Sequence, residues 1–101
     1  MAQLIVVYWR DIPSQVIAQK SRREQVKVML PDRFQVAIDA AAMRGGAGDT
    51  DSYLQEWRKA APEDCSDDLQ REAESRAAAL DREFDKDRLR SLVNNGGKRP
   101  E

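Results

Sequence analysis

The hydrophobic period of this chain changes once, at Pro31, and this change limits the folds that are open to it. Before Pro31, apolar residues come in short runs or alternate with polar ones, as they do in β-strands. After Pro31, they recur every three or four residues, which is the spacing of one face of a helix. Strands grouped first and helices second indicate an α+β fold, in which the helices pack on one face of a small antiparallel sheet.

Three segments before the change are predicted to be strands, at about residues 3–9, 15–20 and 25–30. The first is apolar on both alternating faces, so we expect it to be buried on both sides and to lie centrally. A turn at 10–14 separates it from the second, and the short spacing favours an antiparallel hairpin. Residues 22–30 also fit one face of a helix, so the sheet has two strands or three, and we favour three.

The residues after Pro31 predict three helices, at about 32–44, 50–60 and 66–93. The last is the longest, with Ser66 as its N-cap and an apolar seam along most of its length. Two asparagines and two glycines end it. We therefore expect a single α+β domain over residues 1–93 and a flexible C-terminal tail over 94–101.

The composition argues against catalysis by the chain alone. Its 101 residues include no histidine and one cysteine, Cys65, which removes a histidine-based triad, the commonest metal ligand and any disulfide within the chain. Cys65 has no histidine to activate it and is interpreted as an incidental thiol. We predict no catalytic residue, no metal site and no cofactor; residues that bind a cofactor cannot be named, and activity within a complex stays open.

Several features of the sequence favour a cytoplasmic protein. The longest apolar run, Leu4 to Trp9, is too short to span a bilayer. The first residues lack the positive region and cleavage site of a secretory signal, and a lone cysteine fits a reducing compartment. The formal net charge is −1, so the composition gives no general attraction to nucleic acid or to an anionic membrane.

A basic cluster surrounds the turn between the second and third predicted strands, and we call it the basic tip: Lys20, Arg22, Arg23 and Lys27. With Tyr8 and Trp9 as stacking partners it could bind nucleic acid. Charged residues at such a place also prevent edge-to-edge pairing of sheets, and this interpretation is favoured.

The end of the first strand carries the residues that most resemble an interaction surface. Tryptophan and arginine are frequent in interface hot spots, and strand ends adjoin functional loops. A core tryptophan beside a structural Arg–Asp pair is the competing interpretation. The candidate partner-binding residues are Trp9, Arg10, Asp11, Arg33, Arg44, Trp57 and Phe84.

Three segments of the chain resemble a small bacterial family. They are Tyr8–Val16, with the pattern Trp-Arg-x-Ile-Pro-x-Gln-Val, then Leu30–Arg44 and Tyr53–Arg58. The family is the domain labelled "virulence factor", which also lies inside the larger conserved virulence factor C of Gram-positive bacteria. The resemblance covers roughly residues 3–93 and implies an accessory or protein-binding role, with no catalytic residues to carry over. It also implies that stand-alone versions accompany folate- and corrinoid-dependent one-carbon enzymes.

Three functions follow as hypotheses. The first is an interaction module without catalytic activity that binds a partner protein or a second copy of itself, since the long last helix has more apolar seam than a small core can cover. The second is an accessory subunit of a folate- or corrinoid-dependent one-carbon enzyme complex. The third is nucleic-acid binding through the basic tip.

Overall fold

The computed structural model describes residues 2–46 and 49–98, and these residues form an antiparallel sheet and four helices. The elements are β1 (Ala2–Trp9), β2 (Ile12–Gln19), β3 (Gln25–Met29), α1 (Asp32–Arg44), α2 (Thr50–Gln55), β4 (Trp57–Lys59), β5 (Glu63–Cys65), α3 (Leu69–Glu83) and α4 (Lys86–Asn94). The α+β prediction is confirmed, although the sheet has five strands where the sequence predicted two or three.

Strand β1 lies at the centre of the sheet, as its double-sided apolar pattern predicts. It pairs with β2 along one edge, and with β4 and β5 along the other. Strand β3 pairs with β2 and forms the outer edge of the sheet, so the strand prediction for this segment is confirmed and the helical alternative is excluded. All the pairings are antiparallel.

The turn between β1 and β2 is shorter than the predicted break at 10–14. Only Arg10 and Asp11 form it, and β2 begins at Ile12 rather than at residue 15. The strand tolerates Pro13 because the pairing register shifts here and skips one residue, which makes a β-bulge. Arg10 has a φ of 51°, the left-handed conformation that this tight reversal requires.

The main core lies between the sheet and the helices. One face of β1 and β2 contributes Leu4, Val6, Val16 and Ala18, and the facing helices contribute Phe34, Ile38, Ala73 and Ala77. A smaller cluster on the opposite face consists of Ile5, Val7 and Ile17, with Trp57 packed against it. Burial on both faces explains why β1 is apolar throughout.

The prediction of one helix over 66–93 is wrong, because the chain leaves the helix at Phe84 and starts a new one. The Asp85 side chain caps α4 by accepting a hydrogen bond from the Arg88 backbone N–H over 2.9 Å. Asp68 rather than Ser66 caps α3. Helix α3 packs on the sheet and α4 packs on α1, so the seam is buried at Ala73, Ala77, Leu80, Phe84, Leu89 and Leu92. The predicted helix over 66–93 therefore does not leave a long apolar seam uncovered, and this reason for partner binding no longer applies.

Two other boundaries differ from the prediction. Helix α2 ends at Gln55 instead of near 60, because Trp57–Lys59 pair with β1 as β4. Residues 95–97, predicted to belong to a flexible tail, lie against the β1–β2 turn, and the backbone N–H of Asp11 donates to the Gly97 carbonyl over 2.8 Å. The rest of the predicted tail, from 99 on, lies outside the described residues.

Candidate functional site

Helices α1 and α4 run side by side in the same direction. At their first turns, Arg33 of α1 donates to the carbonyl of Phe84, just before α4, over 2.6 Å. At their last turns, Gly45 after α1 lies close to Gly96 after α4, since a Cβ atom on Gly45 would be 3.2 Å from the Gly96 Cα. Both ends of the helix pair are therefore in contact, and the surface between the helices is a continuous groove.

We call this surface the α1–α4 groove, and it has a volume of about 330 Å³. It is lined by Arg33, Val36, Ala37 and Ala40 from α1, and by Lys86, Leu89, Arg90 and Val93 from α4. Each set follows the spacing i, i+3, i+4, i+7, which is one stripe of a helix. Val36 is 66% exposed although it is a large apolar residue, so this stripe of α1 is open to solvent.

The charged residues that line the groove are all basic. Arg33 is fixed by the fold, because its Nη2 donates to the Asp81 carbonyl over 2.8 Å and also pairs with the Asp81 carboxylate. Lys86 and Arg90 are exposed, and their side chains form no hydrogen bond or ion pair within residues 2–46 and 49–98. The groove is thus a locally positive surface on a chain whose net charge is −1.

The stripe of α1 continues beyond the groove toward the end of the helix. Met43 lies seven residues after Val36, on the same side of the helix, and is 80% exposed. Arg44 lies eleven residues after Arg33, again on the same side, and is also exposed. Two predicted partner-binding residues, Arg33 and Arg44, therefore lie at opposite ends of one exposed helix face.

A second cluster surrounds the β1–β2 turn and is mostly buried. The Trp9 side chain is fully buried; its indole Nε1 donates to the Tyr53 carbonyl over 2.8 Å, and its ring stacks on that of Tyr53. The Arg10 guanidinium lies over the Trp9 ring and donates from Nη1 to the Gly96 carbonyl over 2.7 Å. Gly97 lies against the same indole ring. This cluster joins the hairpin to the loop that follows α4.

Ion pairs surround this turn. Arg10 Nη2 lies 3.4 Å from Glu56 Oε1, and Arg58 Nη2 lies 3.2 Å from Asp11 Oδ1. Arg58 also donates from Nε to the Arg10 carbonyl over 2.9 Å and lies over the ring of Tyr8. The ion pairs of Arg10 with Glu56 and of Asp11 with Arg58 show that both side chains contribute to local structure.

The structure places the predicted site residues in two groups. Trp9, Arg10, Asp11 and Trp57 meet at the turn, and Arg33 and Phe84 meet where the Arg33 side chain reaches the end of α3, while Arg44 lies apart from both groups at the end of α1. Trp9 and Phe84 are buried and Trp57 is partly exposed. Their role in partner binding stays a prediction; Arg44 is exposed, whereas Asp11, Arg33 and Trp57 are partly exposed.

Sequence reasoning missed most of the groove. It treated 66–93 as one helix, so Lys86, Arg90 and Val93 were not recognised as a separate stripe. The usable signal was Asp85, a good N-cap residue, followed by the stripe from Lys86 to Val93.

The thiol of Cys65 is poorly suited to act as a nucleophile. Desolvation raises its pKa, and the neighbouring carboxylates of Glu72, Asp64 and Asp67 raise it further, against a smaller opposite effect of Arg76. At neutral pH the thiol therefore stays protonated. In the part of the chain that the structure describes, no group of three or more acidic or cysteine side chains could hold a metal ion.

The basic tip lacks the aromatic surface on which nucleic-acid binding was predicted to depend. Trp9 is buried in the core and the ring of Tyr8 lies beneath Arg58. Lys20 pairs with Asp67 at 3.6 Å, which lowers the positive charge that the tip presents. Among the described helices, none is both long and apolar enough to cross a membrane.

Comparison with known families decides the relationship of the chain. The model of the family described as "Virulence factor" matches residues 7–93, which run from β1 to the last turn of α4. The chain belongs to the virulence factor family. The match spans the Trp-Arg-Asp turn and every residue that lines the α1–α4 groove, so both lie within the virulence factor domain. No curated protein and no solved structure gives a significant match to the chain.

Proposed function

We propose that this chain is a cytoplasmic protein-interaction module that binds a partner protein in the α1–α4 groove. The observation that carries the proposal is the groove itself: an open apolar surface between two helices, with basic residues along it and no acidic residue among those that line it. The lone cysteine supports a reducing compartment.

The exposed apolar residues of this surface give a reason for association. Val36 and Met43 lie on one side of α1, and both would lose contact with water if a partner covered them. Burial of apolar surface is worth roughly 25 cal/mol per Å². Side chains in the centre of such a patch contribute most of the binding energy, while charged residues at its rim select the partner.

The resemblance to stand-alone family members suggests which partners to test first. Those relatives accompany folate- and corrinoid-dependent one-carbon enzymes, so an accessory role in such a complex is a specific form of the same proposal. The chain would then supply the groove, and the enzyme would supply the chemistry.

A pair of matched variants tests the proposal. Val36→Glu places a carboxylate in the groove, whereas Met29→Glu makes an equally exposed change on the edge strand β3, where Met29 is 62% exposed. Thermal unfolding followed by circular dichroism establishes that both variants fold. We expect a partner to be captured from lysate by the wild type and by Met29→Glu but not by Val36→Glu.

The captured partner is then purified, and its affinity is measured by calorimetry. We expect Val36→Glu to weaken binding at least about tenfold, which corresponds to 1.4 kcal/mol. The proposal is wrong if the purified partner binds Val36→Glu as tightly as the wild type, or if no captured protein depends on the groove.

A further inference from the structure

We infer that the occupant of the α1–α4 groove is an acidic amphipathic helix of the partner protein. This inference rests on the proposed function and specifies the chemistry of the partner. Three observations support it: the shape of the groove, the identity of its charges, and the absence of a suitable complementary segment in the part of this chain that the structure describes.

The shape of the groove suits a helix. Its two walls are helices that run in the same direction, and α4, the shorter one, has 9 residues. At 1.5 Å per residue this wall is about 13 Å long, which matches two to three turns of a helix laid along it. Ala37 and Ala40 have small side chains and leave space between the walls, so large apolar side chains of a third helix can enter there.

The charges of the groove select an acidic occupant. Lys86 and Arg90 lie one turn apart on α4 with no ionic partner among the described residues, whereas the charge of Arg33, at the first turn of α1, is offset by its ion pair with Asp81. Carboxylates one turn apart on the partner helix would face Lys86 and Arg90 while its apolar face covers Val36 and Val93. A polyanion without apolar side chains would leave this floor exposed, so nucleic acid fits less well.

A second copy of this chain does not supply such a helix from its described residues. Helix α3 belongs to the acidic part of the chain, but the exposed large apolar residues of the described ranges are Met29, Val36, Met43 and Leu54, none of which lies on α3. Leu54 lies on α2, which has 6 residues and offers one apolar anchor. Helix α1 carries two such residues, Val36 and Met43, but its two acidic and two basic side chains leave it without net charge, so it is not an acidic helix. We therefore assign the acidic helix to another protein.

Synthetic peptides of about 16 residues, long enough to form a helix, test the inference directly. The first has leucines at i, i+3, i+4 and i+7 and glutamates beside them. The second has the same composition in an order that removes the amphipathic face, and the third has lysine in place of each glutamate. Fluorescence anisotropy of the labelled peptides measures affinity, and analytical ultracentrifugation measures the mass of the free chain.

Two double variants provide the matched control. Lys86→Glu with Arg90→Glu reverses the charge of the groove, while Arg71→Glu with Arg82→Glu makes the same change in charge on exposed positions of α3. Of the three peptides, we expect only the first to bind the wild type. It should bind the groove variant at least about tenfold more weakly, and its affinity for the α3 variant should be unchanged. Binding should also weaken as salt is added.

Several results would overturn the inference. The three peptides could bind equally well, or the first peptide could fail to bind at millimolar concentration. The two double variants could lose affinity for the first peptide equally, or the free chain could dimerise through the groove. If the peptide fails but a purified partner is still lost in Val36→Glu, the proposed function stands and the acidic helix is wrong. If partner binding does not depend on Val36 either, both are wrong.

Discussion

Arg10 and Gly96 are 86 positions apart in the sequence, yet the Arg10 Nη1 donates to the Gly96 carbonyl over 2.7 Å. The same guanidinium also lies beside Gly45, since a Cβ atom there would be 2.6 Å from Nη1. Arg10 therefore reaches the loops that follow both α1 and α4, while Arg33, in the first turn of α1, donates to the Phe84 carbonyl just before α4 begins. Two arginines hold the walls of the α1–α4 groove at its opposite ends.

Removal of the Arg10 side chain should destabilise the fold. We expect Arg10→Ala to lower the free energy of unfolding by about 2–3 kcal/mol, because a buried hydrogen bond from a charged group contributes about 1.5–3 kcal/mol. Urea denaturation measures this change. Lys20→Ala is the control, since that side chain is exposed and its ion pair with Asp67 contributes at most about 1 kcal/mol. Equal losses in the two variants would show that Arg10 does not join these elements.

Gly97 should tolerate a side chain less well than Gly46 does. Both glycines have positive φ, 91° and 77°, but a Cβ on Gly97 would lie 2.9 Å from the Trp9 ring, whereas a Cβ on Gly46 would have no neighbour within 4 Å. Gly46→Ala should therefore cost only the left-handed backbone penalty of about 1–2 kcal/mol. We expect Gly97→Ala to cost at least about 1 kcal/mol more, from overpacking against Trp9. Thermal unfolding compares the variants, and equal midpoints would contradict this contact.

The sequence predicted the fold class and the position of β1, because its double-sided apolar run and the change of period at Pro31 are local signals. It missed β4 and β5, since each has 3 residues and exists only by pairing with β1. The break at Phe84 was missed because the apolar spacing continues through it with a shift in register. The groove could not be predicted for a related reason: two stripes of separate helices form it, and only their tertiary contact brings Val36 close to Val93.

The start of α4 should depend on its N-cap. Asp85→Ala removes the acceptor for the Arg88 backbone N–H, and we expect a loss of about 1 kcal/mol in the free energy of unfolding. Asp87→Ala, in the first turn of the same helix, should cost only about 0.3–1 kcal/mol from the helix dipole. Chemical denaturation at moderate salt, which screens the dipole effect but leaves the cap hydrogen bond intact, ranks the two losses. A larger effect of Asp87→Ala would mean that the cap does not define the break between α3 and α4.

Cys65 should react slowly with alkylating reagents in the folded state. Since its pKa is raised, the folded chain binds the thiol proton more tightly than the unfolded chain does. The stability from this group is fully present below the pKa of an unfolded cysteine, about 8.5, and is lost as pH rises above it. The pH at which iodoacetamide modification becomes fast should therefore be higher for the native protein than for the protein unfolded in urea. Identical pH profiles would contradict the raised pKa.

A partner protein that binds between α1 and α4 must contact both helices, and NMR locates that contact surface residue by residue. Labelled wild-type chain is titrated with the purified partner, and the amide chemical shifts are followed by NMR. We expect the largest chemical-shift changes on residues 33–44 of α1 and 86–93 of α4, and we expect these changes to disappear in Val36→Glu. Changes concentrated on the basic tip, or on the sheet face that carries Ile5 and Ile17, with α1 and α4 unaffected, would show that the partner does not bind in the α1–α4 groove.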